Sequence, residues 1–157
     1  MKNWGIYIVV IAGYFLYSVM TSADRDESGA IVSAGTIDAF SLRVGDCYDD
    51  SDGYSDEVDS LPGVPCTEPH DNEVYAVFAV DLPEYPGDDA MGDLAYEQCM
   101  TKFAGFVGKD YESSSLDFYP MYPSSESWSR RDDRDVVCAV YDMELEKLEG
   151  SVKGLGL

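Results

Sequence analysis

The hydrophobic pattern begins with a long apolar run near the amino terminus. Residues 4–23 contain no charged side chain, Lys2 precedes them, and three acids and one arginine follow at residues 24–27. An α-helix of that length spans about 30 Å, the thickness of a bilayer core. The pattern predicts a transmembrane signal-anchor helix over residues 1–23, with a cytoplasmic amino terminus and the rest of the chain outside. A signal peptide cleaved after Ala23 is the alternative.

Four later segments show the spacing of strands. Residues 72–82 alternate with apolar side chains on both faces, which predicts a central strand. Residues 134–143 predict a second strong strand, and residues 40–48 predict one that bends at its glycine. Residues 115–123 predict a short strand that is broken at Pro120.

Between these strands the apolar positions change to the period of a helix. Residues 83–108 predict one long helix, with acids near its positive amino-terminal end and Gly108 as its stop. Residues 124–133 predict one or two helical turns, capped by Ser124 or Ser125.

The remaining segments lack a period and set the predicted boundaries. Residues 24–40 mix small and charged residues, so we expect a flexible linker. The folded domain is expected over residues 41–152, with an acidic surface loop at 49–65 and a loose tail at 153–157. The expected fold class is α+β: a small antiparallel sheet with one main helix packed on it, two disulfides and a preceding transmembrane helix.

Composition narrows the choice of partners. The 157 residues include 31 acidic and 10 basic side chains, for a net charge of -21. Such a surface repels nucleic acid and anionic lipid headgroups, which excludes nucleic-acid binding as a function class. It stays solvated, or it attracts cations or basic partners. We expect no cofactor and no small-molecule substrate.

The four cysteines predict two disulfides, because an even count in a small exported domain is typical of a disulfide framework. Cys47 and Cys66 flank the acidic loop, whereas Cys99 lies on the apolar face of the helix and Cys138 in the last strand. Of the three possible pairings we expect Cys47–Cys66 and Cys99–Cys138. Each would stabilise the fold by about 2–4 kcal/mol.

Cys66 and His70, the only histidine, lie four residues apart and raise two chemical alternatives. A zinc site needs four ligands, usually in close pairs, and no C-x-x-C is present. An extracytoplasmic Cys/His hydrolase would need Cys66 as a free thiolate. We expect His70 instead to hold the turn into the central strand, and a contact with a partner is its second possible role.

The acidic loop offers only weak cation candidates, Asp50 and Asp52. An EF-hand places an acid at its first position and glutamate at its twelfth. With Gly53 as the invariant glycine, those positions hold Tyr48 and Asp59. The mismatch favours a solvated loop, and we assign no metal.

Aromatic residues near the second short helix are the candidate contact residues: Tyr119, Tyr122 and Trp128. For Trp128, packing in the core is the competing interpretation. Beside it lies the only basic cluster of the acidic region, Arg130, Arg131 and Arg134. We expect these arginines to pair internally with Asp132, Asp133 and Asp135; a docking edge is the alternative.

Five stretches together resemble the septum formation domain found in exported proteins, chiefly of actinobacteria: "LRVGDCYDD", "VPCTEPHDNEVYAVF", "YPGDDAMGDLAYEQC", "LDFYPMYPSSESW" and "DRDVVCAVYD". The resemblance covers roughly residues 42–152. It implies tethering by a membrane helix or lipid anchor and a link to the division septum or envelope, and it transfers no catalytic residue. His70, Glu73, Trp128 and Arg134 fall within its motifs, as do the four cysteines.

Together these observations predict a non-enzymatic, single-pass protein of the cell envelope. Its extracytoplasmic domain would bind unknown envelope or division proteins. Two alternatives remain open at this point: an accessory subunit of a larger membrane complex, and the Cys/His hydrolase.

Overall fold

The computed structural model describes residues 22–51 and 58–157. The predicted transmembrane helix lies almost entirely outside these residues, and within them no helix is long and apolar enough to cross a bilayer. The described strands are β1 (Asp24–Arg25), β2 (Ile31–Ser33), β3 (Gly35–Asp38), β4 (Cys47–Tyr48), β5 (Ser60–Val64), β6 (Asn72–Ala79), β7 (Leu116–Met121) and β8 (Asp135–Asp142). The described α-helices are α1 (Asp88–Val107) and α2 (Ser125–Arg131).

Six of these strands form one antiparallel sheet in the order β3-β5-β4-β6-β8-β7. β6 and β8 lie inside it and pair along most of their length, which confirms the predicted central strand. The α+β class with one main helix and two disulfides is also confirmed. The sheet is larger than the predicted small sheet, because β3 and β5 come from segments that were expected to be a linker and a loop.

Helix α1 covers one face of the sheet with the apolar side predicted from its spacing. Its buried residues are Met91, Ala95, Cys99, Phe103, Phe106 and Val107. The helix ends at Gly108, whose φ of 86° lies in the left-handed region that glycine adopts readily. The last turn is closed by the carboxyl-terminal tail, since the N–H groups of Gly154 and Gly156 donate to the carbonyls of Phe106 and Val107. The expectation of a loose tail at residues 153–157 was therefore wrong.

The amino-terminal segment belongs to the fold, so the prediction of a flexible linker over residues 24–40 was also wrong. β3 pairs with β5 along its whole length, and the N–H of Ala23 donates to the carbonyl of Thr36. Ile31, Ile37 and Leu42 join Leu61 in a second buried cluster on the face opposite α1. This apolar burial explains why a segment without periodicity is ordered.

A buried ion pair also ties this segment to the domain. The guanidinium of Arg25 meets the carboxylate of Asp46, with Nη2 2.8 Å from Oδ2. The same carboxylate oxygen accepts from the N–H of Arg43 at 2.8 Å. Asp46 is buried. A buried carboxylate needs such partners, so this contact fixes where β1 lies.

β7 is an edge strand and continues through Pro120, contrary to the predicted break. Pro120 opposes Cys138 in the ladder, and its missing N–H faces away from β8. The predicted strand over residues 40–48 is much shorter than expected, because only Cys47 and Tyr48 are extended. A turn at Gly45, with φ of 90°, precedes them.

Candidate functional site

The four cysteines form the two predicted disulfides. Cys47–Cys66, hereafter the loop disulfide, has a Cα–Cα distance of 5.2 Å, and Cys99–Cys138, the helix disulfide, one of 5.6 Å. All four sulfurs are therefore bonded. The Cys/His hydrolase loses its nucleophile, because a disulfide sulfur is not a thiolate.

His70, four residues after Cys66 in the chain, is completely buried. Its Nδ1 donates to the carbonyl of Glu68 at 2.7 Å. No hydrogen-bond partner for Nε2 exists among residues 22–51 and 58–157. The backbone of His70 exchanges two hydrogen bonds with Leu148, at 3.1 and 2.8 Å. Its ring and backbone thus hold a turn against the carboxyl-terminal segment.

Glu73, three residues later, is buried and joins β6 to the carboxyl-terminal segment. Its Oε1 accepts from the hydroxyl of Ser151 at 2.6 Å and its Oε2 from the N–H of Val152 at 2.7 Å. One of its oxygens and the two sulfurs of the loop disulfide lie within 4.8 Å of one another. This grouping resembles a metal site in its residue types only, since the sulfurs are bonded to each other and both carboxylate oxygens already accept hydrogen bonds.

The weak cation candidates sit in a region that holds its own positive charge. Lys147 places its Nζ 2.7 Å from Asp49 and 2.8 Å from Asp71, and these hydrogen bonds raise the pKa of Lys147. Partial burial is the largest single effect and acts to raise the pKa of Asp71, but the hydrogen bonds from Lys147 and from the Asp50 N–H, together with nearby positive charge, lower the pKa on balance. Asp50 accepts from the amide of Asn72 at 2.8 Å. Asp52 lies outside the described residues.

A groove of about 780 Å³ spans the end of β7, the start of α1 and helix α2. Helix α2 is fixed by a capping box in which the Ser124 hydroxyl accepts from the N–H of Ser127 at 3.1 Å. Trp128 on this helix is buried, and the guanidinium of Arg134 stacks over its ring at 3.6 Å. Trp128 therefore packs in the core, as the competing interpretation held, while Tyr119 and Tyr122 line the groove.

Three tyrosines that line the groove are open to solvent, and we call them the tyrosine patch. Tyr96, Tyr119 and Tyr122 are 47%, 52% and 43% exposed. The hydroxyl of Tyr122 lies over Gly92, where a Cβ would be only 3.2 Å away. Tyr96 was missed by the sequence analysis. Its signal was an aromatic residue on the polar side of a helix whose apolar side is already filled.

A fourth tyrosine that lines the groove, Tyr85, is held in place by its neighbours. The hydroxyl of Tyr85 donates to Asp88 at 2.6 Å, and its ring packs against Trp128 at 5.7 Å. Burial is the main cause that raises the pKa of Tyr85 to about 12, and the hydrogen bond to Asp88 adds to it. Burial and the neighbouring Tyr122 likewise raise the pKa of Tyr119. These tyrosines stay neutral near pH 7 and present apolar ring surface with a polar edge.

The groove is rimmed by charge of both signs. Its carboxylates are Asp59, Asp88, Glu126, Asp133 and Asp135, and its guanidinium groups are Arg130 and Arg131. Arg130 pairs with Glu126 at 2.7 Å, and Arg131 pairs with Asp59 at 3.0 Å. Arg134 pairs with Asp132 at 2.8 Å. The basic cluster is paired internally, as expected, although only Asp132 among the three predicted acids receives an ion pair.

A family model described as septum formation matches residues 44–154. The chain belongs to the septum formation family. The match includes all four cysteines, His70, Glu73, Trp128 and Arg134, and it confirms the resemblance seen in the motifs. No curated protein and no solved structure matches the chain significantly.

In this septum formation protein the matched region contains β4 to β8 and both described α-helices, so most of the groove lies inside it. Strands β1 to β3 precede the match. The segment that directly follows β3 supplies one wall of the groove through Ala39, Phe40 and Leu42. The family match links the protein to septum formation.

Proposed function

We propose that this protein is a non-enzymatic, membrane-anchored component of the cell envelope that binds another envelope protein during septum formation. The observation that carries the proposal is the tyrosine patch beside an open groove. Tyrosine is enriched at protein interfaces because its ring buries apolar area while its hydroxyl still forms hydrogen bonds. Without a partner, three exposed tyrosines on one rim leave apolar ring surface in contact with water, which is unfavourable.

The states of Cys66 and His70 favour a binding role over catalysis. Cys66 is bonded to Cys47, and the ring of the only histidine is buried. A general base must reach a proton on its substrate. His70 lacks that access, so the alternative of a Cys/His hydrolase has no support from this geometry.

Two features support an anchored, extracytoplasmic domain. The apolar run at residues 4–23 is long enough to cross a bilayer, and disulfides persist mainly in oxidising compartments. Protease added to spheroplasts should then remove the domain while an amino-terminal tag stays protected, and alkaline carbonate should leave the chain in the membrane. Protection of the domain, or its release by carbonate, would contradict this topology.

The partner is tested by photo-crosslinking in dividing cells. A photoreactive amino acid replaces Tyr119 in the groove, and a matched control replaces Val44, which is 52% exposed and lies outside the groove. We expect division or wall-synthesis proteins to be captured at position 119 and not at position 44. Capture of only a respiratory or transport complex would favour the accessory-subunit alternative.

A further inference from the structure

The acidic groups of the groove are only partly neutralised. Among the described residues, no lysine or arginine pairs with Asp88, Asp133 or Asp135. Asp88 and Asp135 are exposed and line the same groove as the tyrosine patch. Because the whole chain also carries a net charge of -21, the potential over the groove attracts cations.

The aromatic rings around the groove already bind cations from the protein itself. The guanidinium of Arg131 lies 4.6 Å from the ring centroid of Phe40, and that of Arg134 lies 3.6 Å from Trp128. Within residues 22–51 and 58–157 no cation lies over a ring of the tyrosine patch. An exposed tyrosine face near a carboxylate is a favourable place for a lysine or arginine side chain.

The backbone of β7 offers no free N–H to an added strand. Three alternate residues on β7 face away from β8, and none offers a free N–H. The N–H of Leu116 donates to the hydroxyl of Ser114 at 3.0 Å, that of Phe118 donates to the carboxylate of Asp117 at 2.7 Å, and Pro120 has none. Strand addition depends on main-chain hydrogen bonds. Strand addition at this edge would lack donors from β7, which favours recognition of a partner through its side chains.

We propose that the groove binds a basic segment of the partner protein, whose lysine or arginine side chains contact the tyrosine patch and the carboxylates of Asp88 and Asp135. This proposal rests on the proposed function and deepens it by naming the chemistry of the partner. The carboxylates supply charge complementarity, and the tyrosine rings supply the cation–π faces.

The test uses the full chain in detergent micelles and a decalysine peptide as the probe. Amide chemical shifts are followed during titration, and we expect changes at the ends of α1, β7 and β8 that line the groove. The variant Asp88→Asn/Asp135→Asn should raise the Kd at least about fivefold. The control variant Glu144→Gln/Glu146→Gln removes the same charge from exposed sites outside the groove and should change the Kd less than about twofold.

A second variant separates the rings from the charges. Tyr119→Leu/Tyr122→Leu keeps apolar area but removes the π faces, and it should also raise the Kd for decalysine severalfold. Three results would each overturn the proposal: equal weakening by the Glu144/Glu146 control, shift changes scattered over the domain, or binding of decaglutamate or a neutral chito-oligosaccharide in place of decalysine. If crosslinking at position 119 still captures a division protein in any of these cases, the proposed function stands and only the basic partner is wrong.

Discussion

Glu73 gives the most discriminating test of how the central strand is held. The change Glu73→Ala removes a buried carboxylate that accepts from the Ser151 hydroxyl and the Val152 N–H, at 2.6 and 2.7 Å. The Val152 N–H would be left without an acceptor in a buried site, and the hydroxyl of the exposed Ser151 would lose its charged partner. A hydrogen bond to a charged group contributes about 1.5–3 kcal/mol. We therefore expect the free energy of unfolding to fall by roughly 3–5 kcal/mol, and the melting temperature by roughly 10 °C.

The variant Glu73→Gln distinguishes hydrogen bonding from charge. Its carbonyl oxygen can accept from Val152, and its amide can donate to the Ser151 oxygen, because a hydroxyl both donates and accepts. The loss should then be only about 1 kcal/mol. The matched control is Glu149→Ala, an exposed glutamate two residues from Ser151, which should change stability by less than about 0.5 kcal/mol.

The assay is urea unfolding of the oxidised full chain in mild detergent, followed by tyrosine and tryptophan fluorescence. Omitting reductant keeps the loop disulfide closed, so its loss cannot be confused with the loss of the carboxylate. Two results would refute the reasoning. If Glu73→Ala costs less than about 1 kcal/mol, the two hydrogen bonds do not carry the contact. If Glu73→Gln is as damaging as Glu73→Ala, charge and not hydrogen bonding is what matters.

Three further predictions concern other parts of the fold. Asp46→Asn should lower the free energy of unfolding by about 2–4 kcal/mol in urea, since it breaks the buried pair with Arg25; an unchanged midpoint would contradict this. Burial raises the pKa of Tyr48 and Tyr75. The contribution of the two neutral phenols to the free energy of unfolding is fully present below the unfolded pKa near 10. It is lost as pH rises above that value, by up to about 2.7 kcal/mol per pH unit for the pair. Unfolding midpoints measured from pH 8 to 11 check this pH dependence. The loop disulfide includes the half-buried Cys66 and should be reduced by a dithiol before the fully buried helix disulfide, as timed alkylation and mass spectrometry would show.

Elements with strong local signals were predictable from sequence. Helix α1 combines a 3.6-residue apolar period with a left-handed glycine at its end, and Ser124 caps α2 through its own side chain. β6 carries apolar residues on both faces because it is covered on both sides of the sheet. Each of these signals lies within a few residues, so no knowledge of distant partners was needed.

β5 was missed because its residues resemble a turn. Its sequence, Ser-Leu-Pro-Gly-Val, places proline and glycine together. The structure gives Gly63 another role, since a Cβ there would lie 2.8 Å from the Cγ2 of Ile37 on the neighbouring strand. Because Gly63 has no side chain, the side chain of Ile37 on the adjacent strand β3 can pack against it. Only the pairing of β5 with β3 reveals this.

The candidate site shows the same limit. The aromatic residues near α2 were evident from the sequence, but their exposure was not. The tertiary structure decides that Trp128 faces the core and that Tyr119 faces solvent. The partners of Asp46 and of Glu73, which the sequence motifs did include, could not be foreseen for a related reason. These partners, Arg25 and Val152, lie 21 and 79 residues away in the chain.

The docked amino-terminal segment determines how the domain can move. A flexible linker of seventeen residues would let the domain wander by roughly 20–25 Å. Instead Ser22 bridges to Thr36, so the fold begins at once where the predicted membrane helix ends. If that helix crosses the membrane as we propose, the domain is attached to it directly and not through a flexible tether. The groove then sits on a domain whose folded part starts at the anchor, without a flexible spacer at residues 24–40.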